Sequence, residues 1–244
     1  MERTLVRFEK SHGRTEVEIR KRILQAIFEQ RLPPGEKITE EQLATTFDVS
    51  RTVVRQAMAR LSQDGILVKS PNIGSTIAAP TRKEACDILA VRRMVEPDIV
   101  SILASAPSKQ DLIARLDQHL ALEDEARRTK SRGTQVRLSG EFHLLLAEMA
   151  GNRILMRLMN QLQALTCLAI LLYAGRDEAC PPDEHSCIAR AIADGDHAAA
   201  AREMLGHLHH VEQDMNLERG VDTASFTDSI EWLRGHSEAG HEEG

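Results

Sequence analysis

Apolar residues recur along the first third of the chain at the spacing of amphipathic helices. From Thr15 to Gln30 the positions Val17, Ile19, Ile23, Leu24 and Ile27 follow helical intervals, and Pro33-Pro34-Gly35 ends the run. A second helix is predicted from Thr39, where Thr39-x-x-Gln42 has the form of a capping box and Leu43, Ala44 and Phe47 make the inner face. After a tight turn at Asp48-Val49, Ser50 can cap a third helix, Arg51 to Gln63. Its inner face is Val54, Ala57, Met58 and Leu61, and its outer face carries Arg51, Thr52, Arg55 and Gln56. Beyond Asp64-Gly65, the runs Ile66 to Lys69 and Gly74 to Ala78 read as strands of a hairpin across Pro71-Asn72-Ile73. Two short helices joined by a tight turn and followed by a hairpin predict a winged helix-turn-helix over residues 1–80, with the third helix facing a DNA major groove. Arginines at i and i+4 on its exposed start suit bidentate contact with guanine edges or phosphate clamping. The alternative is that they only solvate a surface helix or serve protein contacts.

Residues 80–84 form a short polar joint, too brief for a loose linker. Beyond it, breaks near Ala106-Pro107-Ser108, Ser131-Arg132-Gly133, Gly151-Asn152, Cys180-Pro181-Pro182-Asp183 and Asp194-Gly195-Asp196 divide residues 81–222 into a predicted bundle of six or seven helices. The tail, 223–244, is expected to be partly disordered apart from an amphipathic turn around Ile230, Trp232 and Leu233. The predicted fold class is therefore mainly α.

Within the bundle the histidines are informative. His185 and His207 are equidistant from Asp196, so a hairpin turn there brings them to one height on antiparallel helices. On an earlier helix His143 shares a stripe with Val136, Gly140, Ala147 and Ala150, whose small side chains are expected to leave room for a cavity. Three converging neutral imidazoles suit Zn, Ni or a similar divalent ion. Arg92 interrupts the apolar stripe Ile88, Val95, Ile99, Ile102, and a buried guanidinium requires an anion. Either Glu96, one turn on, or the carboxylate of a ligand would serve.

Composition sharpens this picture. The chain has 244 residues, 42% hydrophobic and 28% charged, with aromatics at 3%, which disfavours an all-β fold. The net charge of −6 is uneven: residues 1–80 hold 13 Lys and Arg against 10 Asp and Glu, and residues 81–244 hold 18 against 27. A mildly basic module ahead of an acidic domain fits nucleic-acid binding by the first and another task for the second. The longest apolar run, Ala164 to Ala174, is short for a bilayer span, and Met1-Glu2-Arg3-Thr4 starts no signal segment, so a soluble, cytoplasmic protein is expected. Cys86, Cys167, Cys180 and Cys187 form no CxxC pair and are expected to be reduced thiols.

Pro33-Pro34-Gly35, Leu43-Ala44, Val49-Ser50-Arg51-Thr52-x-Val54-Arg55-x-Ala57, Arg60-Leu61, Asp64-Gly65-Ile66-Leu67 and Asn72-x-Gly74 resemble the DNA-binding domain of GntR-family bacterial transcription regulators. By that resemblance Arg51 and Arg55 contact DNA, Ser50 and Thr52 assist, and Gly74 lets the wing approach the minor groove. Val53 and Gln56 depart from the common proline and glutamate. Val91-Arg92-x-x-x-Glu96, Phe142-His143-x-x-Leu145 leading to Gly151-Asn152, Glu184-His185, and Ala191-Ile192-x-x-Gly195-Asp196-x-x-x-Ala200 with His207-Leu208 resemble the FCD effector domain of the FadR subfamily of GntR regulators. This implies a metal on His143, His185 and His207, with Arg92 holding the carboxylate of a small organic acid. Ser139 stands where the metal-binding members have an aspartate ligand.

The reading that follows is a homodimeric transcription regulator, with repression implied by the family, on a palindromic operator and answering to a small carboxylate effector bound through Arg92, Ser139, His143, His185 and His207. Two alternatives come from other classes: a metal-dependent hydrolase, for which no general base is identifiable, and a ligand-independent DNA-binding scaffold.

Overall fold

The computed structural model describes residues 12–29, 31–70, 74–130, 132–174 and 183–217. The first element, α1 (His12–Phe28), turns Ile19, Ile23 and Ile27 inward at successive turns. Val17, assigned above to the same face, is 56% exposed, because two positions along a helix rotate a side chain to nearly the opposite side. Gly35, at φ 78°, turns the chain back and donates its N–H to the Ile77 carbonyl at 2.9 Å. The strand β1 (Lys37–Ile38) follows, and then α2 (Glu40–Phe47). The Thr39 hydroxyl accepts from the Gln42 N–H at 3.2 Å and the Gln42 side chain accepts from the Thr39 N–H at 2.9 Å, a reciprocal cap.

Asp48, left-handed at φ 51°, closes α2, and Ser50 caps α3 (Arg51–Gln63), which buries Val53 as well as Val54, Ala57, Met58 and Leu61. The strands β2 (Leu67–Ser70) and β3 (Gly74–Ile77) pair antiparallel, and β1 joins the other side of β3 in the order β1-β3-β2. The two residues of β1 were not legible as a strand, since periodicity needs a longer run. They are held by pairing Lys37 with Thr76 and Ile38 with Ser75. The hairpin tip, residues 71–73, and the amphipathic turn near Trp232 lie outside the described residues, as does Cys180.

The rest is helical: α4 (Arg82–Ala104), α5 (Gln110–Arg128), α6 (Arg132–Met149), α7 (Arg153–Tyr173), α8 (Glu184–Asp194) and α9 (His197–Asp214). The fold is mainly α, a winged helix-turn-helix followed by a helical bundle. Thr81 and Glu84 form a second capping box, so the polar joint is largely the first turn of α4. The joint is tied down: Tyr173 donates its hydroxyl to the Pro80 carbonyl at 2.8 Å and Arg82 lies over the Tyr173 ring at 4.8 Å.

The inner face of α4 differs from the stripe read above. It runs Ala85, Leu89, Arg92, Glu96, Ile99, Val100 and Leu103, whereas Ile102 is 59% exposed. Glu96 takes an inward place because Arg92 is there to meet it. The small residues around His143 also act differently from expectation. Ala147 is fully buried, and a Cβ at Gly140 would sit 3.6 Å from Cys167 Sγ and 3.9 Å from Phe28. At Gly140 the stripe lets α6 approach α7 and α1. By length and composition α7 is apolar enough to span a membrane, but its apolar side chains serve three hydrophobic clusters, Ala169, Ile170 and Tyr173 packing with Ala85 and Leu89 of α4. Met159 and Leu162 pack among the bundle helices, and Ala164, Cys167 and Leu168 pack with α1 and α3.

Candidate metal centre and nucleic-acid interface

The turn at Gly195, left-handed at φ 76°, folds α8 back along α9 and sets His185 beside His207 with ring centroids 4.7 Å apart. From α6, His143 meets both, its ring 5.0 Å from that of His207 and 5.4 Å from that of His185. All three are buried. Phe142, one position earlier, stacks on the His185 ring at 4.1 Å and fixes its plane.

Each ring is anchored through Nδ1 by a different carboxylate. His143 Nδ1 donates to Glu96 at 2.5 Å, His185 Nδ1 to Glu123 at 2.8 Å, and His207 Nδ1 to Glu184 at 2.7 Å. An ionised carboxylate only accepts, so the proton sits on Nδ1 and the Nε2 lone pair faces the centre. The surroundings keep these states. Burial pushes His143 down to about 3 and His207 down to about 4, so both rings stay neutral. Burial alone would raise Glu96, but Arg92 and His143 hold it well below the ordinary carboxylate range. Glu123, likewise against burial, is held at about 2 by His119 and His185.

The ligand atoms of the trio lie within 4.8 Å of one another, and Nε2 of His143 and His207 are 3.1 Å apart. Two lone pairs at that separation repel unless a cation or a proton lies between them. Nitrogens bonded at 2.0–2.1 Å to one ion would stand about 3.0–3.4 Å apart, so the spacing fits a divalent ion. His185 Nε2 is buried without a hydrogen-bond partner among the described residues, which is the orphan a metal would satisfy.

Arg92 donates Nε to Glu96 at 2.5 Å and Nη1 to Thr166 at 3.4 Å, while its buried Nη2 has no partner among the described residues. The internal carboxylate is thus present, and one donor remains. Ser139 lies half-buried on α6, one turn before His143. Sequence reasoning passed over His119, Glu123 and the anchoring part of Glu184. The signal existed: the buried stripe of α5 is Leu112, Leu116, His119, Glu123 and Ala126, with polar residues on an apolar face as in α4. His119 accompanies Glu123 at 3.3 Å and lies 2.9 Å from the Leu138 carbonyl. His210 is half-exposed and pairs with the outer oxygen of Glu184, and His209 accepts from Gln213 at the surface.

At the other end of the molecule, Arg51, Thr52 and Arg55 stand exposed on α3, and Ser50 caps it by accepting from the Val53 N–H at 3.4 Å. Arg51 pairs with Glu41 and Arg55 with Glu40, both on α2. Gly74 opens β3 at φ 101°, a conformation that L side chains rarely adopt.

Comparison with known proteins agrees with this division. Residues 15–77 match the family "Bacterial regulatory proteins, gntR family", and residues 87–210 match the FCD domain. The uncharacterized HTH-type transcriptional regulator YdhC of Bacillus subtilis (strain 168) is 31% identical over 187 residues, covering 75% of this chain and 83% of its own. The Nta operon transcriptional regulator of Aminobacter aminovorans is 27% identical, covering 80% and 91%. Among solved structures, E. coli McbR/YncC superimposes with a TM-score of 0.74 at 17% identity over 84% of this chain and 99% of that one. A GntR regulator from Rhodococcus sp. RHA1 gives 0.73 at 22% over 86% and 100%. These relatives regulate transcription and are not enzymes. The chain belongs to the GntR family of DNA-binding bacterial transcription regulators and carries an FCD domain behind its winged helix-turn-helix.

Proposed function

We propose that this chain is a cytoplasmic, effector-responsive regulator of the FadR subfamily, acting as a homodimeric repressor on a palindromic operator, with a divalent metal, Zn or Ni, on His143, His185 and His207. The observation that carries the metal is the set of three carboxylate-anchored imidazoles with Nε2 atoms aimed at one point, one of them an orphan. When bound, the ion supplies a concentrated positive charge to which an anionic effector oxygen can attach. Arg92 presents its remaining Nη2 donor to a small carboxylate, and Ser139 contributes a neutral hydroxyl where an aspartate would bring a charge. The side chains that would touch the ion are therefore uncharged, while the ionised Glu96, Glu123 and Glu184 stand one imidazole further out and offset part of its charge.

Ser50, Arg51, Thr52, Arg55 and Gly74 form the DNA-reading face. The route between the two ends is α7: Thr166 meets Arg92, and its neighbours Ala164, Cys167 and Leu168 pack against the winged helix-turn-helix. An effector shifts operator affinity by as much as it prefers one placement of that helix over another.

Metal content by mass spectrometry tests the centre directly. Purified protein is expected to hold near-stoichiometric Zn or Ni, His143→Ala to lose it, and Ser139→Asp to hold it more tightly. Equal metal in wild type and His143→Ala would refute the assignment.

A further inference from the structure

We propose that Glu40 positions Arg55 to read a guanine, and so sets how much of this protein's DNA affinity depends on sequence. The proposal rests on α3 being the DNA-reading helix. Glu40 is the first residue of α2, and its carboxylate accepts Arg55 Nε at 3.0 Å and Arg55 Nη2 at 2.8 Å. A guanidinium carries five N–H donors in a rigid fork. Two are taken along the Nε side, which leaves both hydrogens of Nη1 and one of Nη2. One hydrogen of each terminal nitrogen lies on the edge between them, whose spacing matches O6 and N7 of guanine. Arg51 has a single bond to Glu41, at 3.0 Å, and keeps more of its freedom.

Stability does not account for the pairing. The Arg55 side chain is 66% exposed, and ion pairs this open add little to folding. Attraction to DNA does not account for it either. A carboxylate beside the reading face repels phosphate and lowers affinity for every sequence alike. What the pair provides is order: a long side chain that would otherwise lose its rotamer freedom on binding is already held with its free edge outward. Glu40 is itself well anchored, in the first turn of a capped helix where a negative side chain meets the positive end of the dipole. The arrangement gives up general affinity and gains discrimination.

The test is selection of binding sites by the full-length protein from a randomised duplex DNA library, for wild type, Glu40→Gln and Arg55→Lys. The selected and scrambled duplexes are then titrated. Wild type is expected to enrich a site with a strongly preferred guanine in each half. In Glu40→Gln that preference should fall about tenfold while scrambled DNA binds more tightly. Arg55→Lys should lose the same guanine, because an ammonium keeps the charge without the fork. Glu40→Gln selecting the same site with undiminished preference overturns the proposal. So does a lower melting temperature with the guanine preference intact, which would make Glu40 structural. If wild type itself enriches no sequence, the assignment of α3 to DNA reading has failed, a result separate from any variant.

Discussion

At each of the three histidines the two ring nitrogens have separate tasks: Nδ1 is committed to a glutamate and Nε2 is left for the centre. The glutamates therefore matter without being ligands. Glu123→Gln keeps an acceptor near His185 but removes the charge that fixes its tautomer, and metal affinity is expected to fall about 10- to 100-fold. His185→Ala should abolish stoichiometric binding, and competition with a chelator of known affinity separates the two. Identical affinity in wild type and Glu123→Gln would mean that the carboxylate only fills space. The same residues set a pH dependence. In metal-free protein His143 and His207 stay neutral down to about 3 and 4, whereas in the unfolded chain they take up protons near 6.5. The unfolded state then binds more protons across that window, so stability is greatest above about 6.5 and declines as pH falls towards 4. His119 acts in the opposite sense: burial alone would lower it, but Glu123 and the Leu138 carbonyl raise it, so its contribution fades as pH rises. With two groups against one, thermal melts of chelator-treated protein should show a falling midpoint between pH 7 and 4.5, and a flat profile would contradict the burial of both rings.

At the scale of elements, Gly140 sits where α6 meets α7 and α1. Every contact of a Cβ built there lies between 3.6 and 3.9 Å, ordinary van der Waals distance. Gly140→Ala should therefore be accommodated and, by removing a glycine from a helix interior, stabilise the protein by about 0.5–1 kcal/mol. Gly140→Leu should destabilise it through overpacking. Denaturant midpoints distinguish these outcomes from the roomy cavity that the small-residue stripe suggests on sequence alone. That stripe shows where a single sequence becomes ambiguous. The limits of α3, its Ser50 cap and the hairpin symmetry of His185 and His207 were readable because local rules of capping, period and turn position specify them. On α4, Val95 packs partly buried against the bundle core, but Ile102 faces outward, because the helix turns Glu96 inward to meet Arg92 one turn earlier and His143 from α6. On α5 the polar positions His119 and Glu123 on an apolar stripe are a local signal, but the role of Glu123 is not, since its partner His185 is 62 positions away.

At the scale of the whole molecule, α7 touches both the histidine cluster's surroundings and the winged helix-turn-helix through adjacent residues. Thr166 accepts from Arg92 on the side of the three histidines and donates to the Leu162 carbonyl at 2.8 Å, while Cys167 and Leu168 pack with the winged helix-turn-helix core. The Cys167 thiol, pushed up to about 12 by burial, should resist alkylation at pH 8 in the native protein. It should react only when α1 and α7 part, so its labelling reports their separation. If Arg92 transmits occupancy of the centre, Thr166→Val, nearly isosteric, removes one link without touching a histidine. Metal content should stay at the wild-type level, whereas the ratio of operator affinities with and without added Zn or Ni should move towards one, because coupling is the difference between two placements of α7 and this bond favours one of them. A Thr166→Val protein with full metal and an unchanged ratio would show that the signal does not run through Arg92, and would direct attention to α6, where His143 sits one turn from the Gly140 contact with Phe28.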